Sequence, residues 1–247
     1  MKILQWNIWY KENIDNVLKT LKEIDADILC LQEITINDEH NEKDCSHYVA
    51  DKLGYDFFYE PAQIIERANG EERSYGNAIF SRTPMKRTAS TYIQPLQHEH
   101  EDQPLAFWEQ GRVYLEADVE TESGSLTVGT VHMSYTTAFQ STPAKEREVG
   151  KLLEILQQKK QKYIVTGDFN ATPNSKMIGQ IQEIMKNAGP AMTEMTWTTK
   201  PFSYQGFEAS MLDWRLDYCF STSDVKIKSA SIVNTPYSDH LPILLEL

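Results

Sequence analysis

Two apolar runs, "DILCLQE" at 27–33 and "KYIVTGDFN" at 162–170, each follow a helical period and each end in a carboxylate. The first helix is read from "NIDNVLKTLKEI", where Ile14, Val17, Leu18, Leu21 and Ile24 fall on one face. The second begins near Pro143, a residue suited to a helix's first turn, and runs through "AKEREVGKLLEILQQ". Between and after them stand strand candidates: "YDFFYE", "YGNAIFS", "KRTASTYI", "RVYLEADVE", "SLTVGTVHM", "RLDYCF", "VKIKSASIVN" and "LPILLEL". A further helix is expected around Cys45 to Leu53, and "ESGS" at 122–125 reads as a hairpin turn whose glycine tolerates a positive φ. Strands with helices in both halves imply two packed sheets with helices outside. The halves echo each other in pattern and not in residue identity, so no internal repeat follows.

The 247 residues are ample for one large core, and 1–247 is read as a single domain without a linker or low-complexity segment. No apolar run approaches the length that spans a bilayer. The opening "MKILQWNIWY" lacks the apolar core and cleavage site of a leader, so a cytoplasmic protein is expected. Cys30, Cys45 and Cys219 are odd in number and read as buried thiols, in keeping with that compartment. The net charge is −12, from 36 acidic against 24 basic residues, and no basic run is visible. Long duplex DNA is therefore disfavoured as a partner, while small phosphorylated substrates are not, because a bound cation sets the local field.

Polar residues collect where strands end. Asn7 closes the first strand and Glu33 the second, His132 falls near the end of "LTVGTVHM", Asp168 and Asn170 follow "YIVTG", and Asp239 and His240 precede the last strand. Loops at strand ends converge on one rim, which gathers residues distant in sequence into one site. Their types suit phosphate-ester hydrolysis, which needs a hard cation, an oriented water and donors for the phosphoryl oxygens. Glu33 with Asn7 or Asp239 would supply oxygen ligands, as Mg²⁺ or Mn²⁺ prefers, whereas zinc would want more His and Cys. Asp217 is the candidate that orients His240, Asp168 would orient or deprotonate the water, and Asn170 would hold the water or a phosphoryl oxygen.

Each residue alone has an ordinary structural reading: Asn7 as a cap, Glu33 and Asp168 as polar strand ends, His132 as a core histidine, Asp217 as a partner of Arg215. Together they form an ordered set. "QWN" at 5–7, "LQE" at 31–33, "YGNAIFSRTP" at 75–84, "TVHM" at 130–133, "GDFNATP" at 167–173, "RLDYCF" at 215–220 and "SDH" at 238–240 resemble the successive motifs of the endonuclease/exonuclease/phosphatase family. The resemblance spans nearly the whole chain. It implies a four-layer α/β sandwich and a magnesium-dependent phosphoric-ester hydrolase. By that similarity Glu33 would be the main metal ligand, with Asn7 and Asp239 near it. Asp168 and Asn170 would position water and phosphate, His132 and His240 would contact the scissile phosphate, and Asp217 would pair with His240.

One departure concerns Trp9. Some DNA-repair members carry an acidic residue two positions after the first-strand asparagine, which weighs here against repair and leaves the number of metals undecided. Two loops bear on the substrate. "PLQHEHEDQPLAFWEQGR" at 95–112 reads as a solvated acidic loop, although His98 and His100 offer a conceivable metal pair. "TWTTKPFSYQGFEASMLDW" at 196–214 is dense in aromatics that stack a base or pack a lipid or sugar. Trp197, Trp214, Arg112 and Asn77 are the substrate-binding candidates. The expected function is hydrolysis of a phosphodiester or phosphomonoester in a small, short-oligonucleotide or lipid substrate. Alternatives are a nuclease acting on DNA or RNA and a catalytically silent binding protein on the same fold. A serine hydrolase lacks its Gly-x-Ser-x-Gly elbow.

Overall fold

The computed structural model describes residues 1–121 and 124–247. In chain order its strands are β1 (Lys2–Asn7), β2 (Ile28–Ile36), β3 (Asp56–Glu66), β4 (Glu72–Ser81), β5 (Arg87–Gln94), β6 (Gln97–His100), β7 (Arg112–Thr121), β8 (Gly124–His132) and β9 (Tyr163–Asp168). The remainder are β10 (Lys186–Asn187), β11 (Phe202–Tyr204), β12 (Phe207–Ala209), β13 (Asp217–Ser221), β14 (Ser229–Ile232) and β15 (Ile243–Glu246). The helices are α1 (Ile14–Ile24), α2 (Cys45–Leu53), α3 (Pro143–Gln157) and α4 (Lys176–Ile184).

Helix starts are set locally. Asn13, Asp44, Thr142 and Ser175 each accept a backbone N–H of the first turn of α1, α2, α3 and α4, and Pro143 occupies the first turn of α3. The buried stripe of α1 is Ile14, Val17, Leu18 and Leu21, as its period predicts.

The strands form two mixed sheets. One runs β14-β15-β1-β2-β4-β3-β6 and the other β10-β13-β9-β8-β7-β5, while β11 and β12 make a separate hairpin. Strands β1 and β2 are parallel across α1, and β8 and β9 are parallel across α3, so the echo between halves is a repeated βαβ unit. Between the sheets lie Ile3, Ile28, Cys30 and Ile79 from the first and Leu115, Val128, Ile164 and Cys219 from the second. Outside the first sheet, α1 and α2 cover Leu4, Trp6, Leu29 and Leu31. Outside the second, α3 and α4 cover Val131, Val165, Tyr218 and Phe220. Helix, sheet, sheet, helix is the expected four-layer α/β sandwich.

The three cysteines are free and buried. Of the "ESGS" turn, Glu122 and Ser123 lie outside the described residues; β7 and β8 on either side pair antiparallel. The stretch 95–112 is a solvated acidic loop over 101–104 but not throughout. Residues 97–100 pair parallel with β3 as an edge strand, and Glu99 is buried with its carboxylate accepting Leu105 N at 2.7 Å. Unpaired edge backbone on β3 supplies the reason, since it needs partners that a short strand can give. Sequence patterning also passed over α4 and the short β10, β11 and β12.

Candidate active site

On the inner face of β1 the side chains run Ile3, Gln5, Asn7, from apolar core to polar rim, because alternate residues share a face. Three neighbouring strands of the opposite sheet end level with that rim. His132 of β8 pairs with Asp168 of β9, and Asp168 with Asp217 of β13. Gly167 permits this alignment: a Cβ there would come within 2.1 Å of the Val131 carbonyl oxygen. Strand β15 lies beside β1 and brings residues 238–240 over Asn7. Ser238 fixes that loop, its Oγ donating to Asn7 O at 2.8 Å and accepting His240 N at 3.0 Å.

Glu33 needs a distortion to join them. Regular alternation would send it to the helix-covered face with Leu31, but the β2–β4 register slips between Gln32 and Ile34, and Glu33 takes φ 61° in this bulge. The bulge aims its carboxylate at the rim, where Oε1 accepts Asn7 Nδ2 at 3.1 Å and Oε2 accepts Tyr10 N at 2.9 Å.

Asp168 is the centre of the arrangement. Its Oδ2 accepts Asn7 Nδ2 at 3.1 Å and lies 3.5 Å from His132 Nε2 and 3.6 Å from His240 Nε2. Its Oδ1 accepts Asn170 N at 2.9 Å. Asn170 Nδ2 lies 3.3 Å from His132 Nε2 and donates to Met133 O at 3.0 Å. His240 Nδ1 is 2.8 Å from Asp217 Oδ2, and Asp217 Oδ1 accepts Gln5 Nε2 at 2.8 Å, so both oxygens of Asp217 are engaged. Asp239 accepts the Trp197 indole N–H on Oδ2 at 3.0 Å.

The site sorts charge by position. Burial, with Asp217 adding to it, pushes the Asp168 carboxyl up to about 7 despite the opposing pull of His240. Burial raises Glu33 as well, followed by repulsion from Asp239. His240 is held well above the usual histidine range: burial opposes its charge, but Asp217, Asp168 and Asp239 outweigh it. His132 falls well below that range through burial, then through the positive field of Arg112 and His240.

The donors fit a hard cation. Glu33 and Asp239 are neighbouring carboxylates whose repulsion a divalent cation would relieve, and both offer oxygen. Asn7 as it stands turns its amide nitrogen to the carboxylates and its oxygen to Trp9 N at 3.1 Å, so it ties Glu33 to Asp168. Asp168, Asp217 and His240 also approach closely enough to surround an ion. Their geometry speaks for a proton instead, because the short Asp217–His240 contact already fills the space between these ligand atoms.

The profile of the Endonuclease/Exonuclease/phosphatase family matches residues 4–240. The chain belongs to that family. Among solved structures it is similar to an endonuclease/exonuclease/phosphatase family protein from Leptotrichia buccalis, at 19% identity and TM-score 0.69, covering 100% of this chain and 98% of the other. The Bacteroides thetaiotaomicron mannosyl-6-phosphatase gives 16% identity and TM-score 0.67 over 100% of this chain and 98% of its own. The human Nocturnin catalytic domain with bound sulfate gives 20% identity and TM-score 0.66 over 99% and 93%. At these identities the likeness is one of fold. No curated protein matches the chain.

For this family member, Glu33, His132, Asp168, Asn170, Asp239 and His240 line one cleft of about 860 Å³, with Asn7 and Asp217 bonded directly behind them. Arg112 and Asn77 line the same cleft, both buried; Arg112 donates to Ser134 Oγ at 3.2 Å and Phe107 O at 2.9 Å, and Asn77 to Val113 O at 2.8 Å. Trp197 reaches the cleft but is only 3% exposed, and Trp214 stands outside it in the aromatic cluster with Phe139 and Phe207. His98 and His100 lie on edge strand β6, where His100 contacts Glu66 at 3.3 Å.

Sequence reasoning passed over the support beneath Asn170. Lys145 on α3 is buried and donates from Nζ to Ser134 O, at 2.8 Å, and to Asn170 O, while Glu148 accepts Ser134 N at 3.1 Å. Burial brings the Lys145 ammonium down to about 8. The available signal was that Lys145 and Glu148 share a helix face with Val149 and Leu152, the face that packs on the sheet.

Proposed function

We propose that the protein is a divalent-cation-dependent hydrolase, using Mg²⁺ or Mn²⁺, that cleaves a phosphoric ester of a small molecule, short oligonucleotide or lipid. The observation that carries this is the single oxygen of Asp168 shared by Asn7, His132 and His240 at the floor of the cleft. Residues 1–247 would act as one catalytic domain in the cytoplasm, a reading supported by three free buried thiols.

A cation held by Glu33 and Asp239, with Asn7 behind them, would neutralise charge on the phosphoryl oxygens. Asp168, with its raised carboxyl, orients the attacking water and takes its proton. Asn170 holds Asp168 through its backbone N–H and turns its amide toward His132. Charged His240, steadied by Asp217, donates from Nε2 to a phosphoryl oxygen, and neutral His132 completes the opposite side. Arg112 adds a buried positive charge to the same wall. Phe107, Tyr135, Phe202 and Tyr204 line the cleft beyond these groups, which favours a planar or apolar group attached to the phosphate.

No helix among the described residues is long and apolar enough to cross a membrane. Hydrolysis of a bis-aryl phosphate and an aryl monophosphate, with and without Mg²⁺, tests the reading. Cation-dependent turnover of either ester that Asp168→Asn abolishes is the expected result. Turnover unaffected by both chelator and that substitution would remove the assignment. A panel of sphingomyelin, sugar phosphates and short oligonucleotides then ranks the substrates, and steep salt dependence would mark a nuclease.

A further inference from the structure

Residues 196–199 form a strap between two parts of the site. On one side Thr196 Oγ1 accepts Leu216 N and Asp217 N at 3.1 and 3.2 Å, and Trp197 exchanges backbone hydrogen bonds with Trp214. On the other, Leu241 N donates to Thr196 O at 2.8 Å, Thr199 N to Asp239 O at 3.0 Å and Thr199 Oγ1 to Ser238 O at 2.5 Å. The strap thus joins the strand carrying Asp217 to the loop carrying Asp239 and His240. Trp197 sits at its middle, with its ring against Phe139 and Phe202 and its indole N–H on Asp239 Oδ2.

A residue 3% exposed has little face to offer a substrate. What it does offer is one donor. The indole N–H holds one oxygen of Asp239, and Ser238 Oγ stands 3.5 Å from the other. A carboxylate held in this way keeps one orientation beside Glu33, and outer-shell hydrogen bonds of this kind tune the affinity of a ligating group. We propose that Trp197 is a positioning residue that orients Asp239 for cation binding and couples it, through the strap, to Asp217 and His240. This rests on the reading of Glu33 and Asp239 as the cation-holding pair.

The test is calorimetric titration of the full chain with Mg²⁺ and Mn²⁺. Trp197→Phe keeps the ring and loses the donor. It should weaken cation affinity by about 10- to 100-fold, lower activity at limiting cation, recover activity at high cation and leave KM nearly unchanged. Phe139→Leu, which disturbs the same aromatic packing without touching Asp239, should lower Tm and leave the cation Kd alone. Thr199→Val loosens the strap from its other end and should also weaken cation binding, which keeps the idea testable if Trp197→Phe folds poorly. Wild-type cation affinity in both strap variants, or a raised KM with unchanged affinity in Trp197→Phe, would overturn the proposal. If the wild-type protein binds no cation, or Glu33→Gln and Asp239→Asn bind it normally, the underlying reading of the site fails first.

Discussion

His132 and His240 approach the same oxygen of Asp168, at 3.5 and 3.6 Å, and are driven to opposite charge states. The difference comes from what lies on their far sides. His240 has Asp217 at 2.8 Å behind its other nitrogen, whereas His132 is buried in the positive field of Arg112, His240 and Lys145. One cleft thereby holds a charged and a neutral imidazole at neutral pH, the division of labour that the proposed hydrolysis of a phosphate ester would use.

Asp217→Asn should lower kcat by about 10²–10⁴-fold, the usual range for a disabled acid–base group. In the proposed mechanism the charged form of His240 is the working one, so activity should fall as pH rises through its pKa. Removing the carboxylate that raises that pKa should move the alkaline limb to lower pH. A pH–rate profile reads both effects, and an unmoved alkaline limb would separate His240 from the rate-limiting step.

How much of this was legible in the sequence depends on the kind of signal. The βαβ units around α1 and α3 were visible because helical period and apolar run are local. Asn7, His132 and Asp168 were visible because each closes a strand, Asp217 opens β13 as the partner sought for His240, and strand register then aligns His132, Asp168 and Asp217 without further information. Glu33 points inward only through a bulge, which pairing with β4 creates and β2 alone does not announce. The roles of Lys145 and Trp197 were hidden for a related reason. One donates to carbonyls brought close by β8 and β9, the other to a carboxylate some 42 positions away in the chain. Aromatic density in 196–214 suggested a substrate platform, but packing had already consumed Trp197 and Trp214.

Acid should destabilise the protein through His132. Its folded pKa lies below the unfolded value, so below about pH 6.5 the unfolded chain binds a proton that the folded chain refuses. Stability is lost as pH falls, by up to ~1.4 kcal/mol per pH unit, until the folded pKa is reached. His240 has the opposite sign: its contribution is complete below the unfolded pKa and disappears as pH rises through the folded one. In urea melts under chelator, His132→Gln should be less stable than wild type at pH 7, and the gap should narrow as pH falls to 5. A gap independent of pH would mean that His132 protonates freely in the folded state.

Asp239→Asn should lower activity and remove the response of stability to the cation. Burial and then Asp239 raise the Glu33 carboxyl, so deleting the second charge relieves that repulsion in metal-free protein while removing one of the charges that hold His240 protonated. A fall in activity of at least ~10²-fold is expected. Added Mg²⁺ should raise the Tm of wild type by mass action and leave that of the variant nearly unchanged. Equal Mg²⁺-induced shifts in the two proteins would exclude Asp239 from the cation site.

Lys145→Met tests whether the buried ammonium props the site from beneath. Its Nζ donates to Ser134 O and Asn170 O, and Met fills similar volume while leaving both carbonyls without that donor. A loss of about 2–4 kcal/mol is expected, since unsatisfied buried acceptors and a newly unbalanced Glu148 both destabilise. The pH dependence gives a second readout. Burial lowers the Lys145 pKa to about 8 from the usual 10.5 of a solvated lysine, so above pH 8 the folded protein has shed a proton that the unfolded chain still binds. Wild type should gain on the variant as pH climbs from 8 to 10.5, because burying neutral lysine removes the cost of burying its charge. Activity should fall together with stability, since Asn170 loses the contact that holds its backbone beneath Asp168. A variant as stable as wild type with full activity would reduce Lys145 to a packing residue of α3.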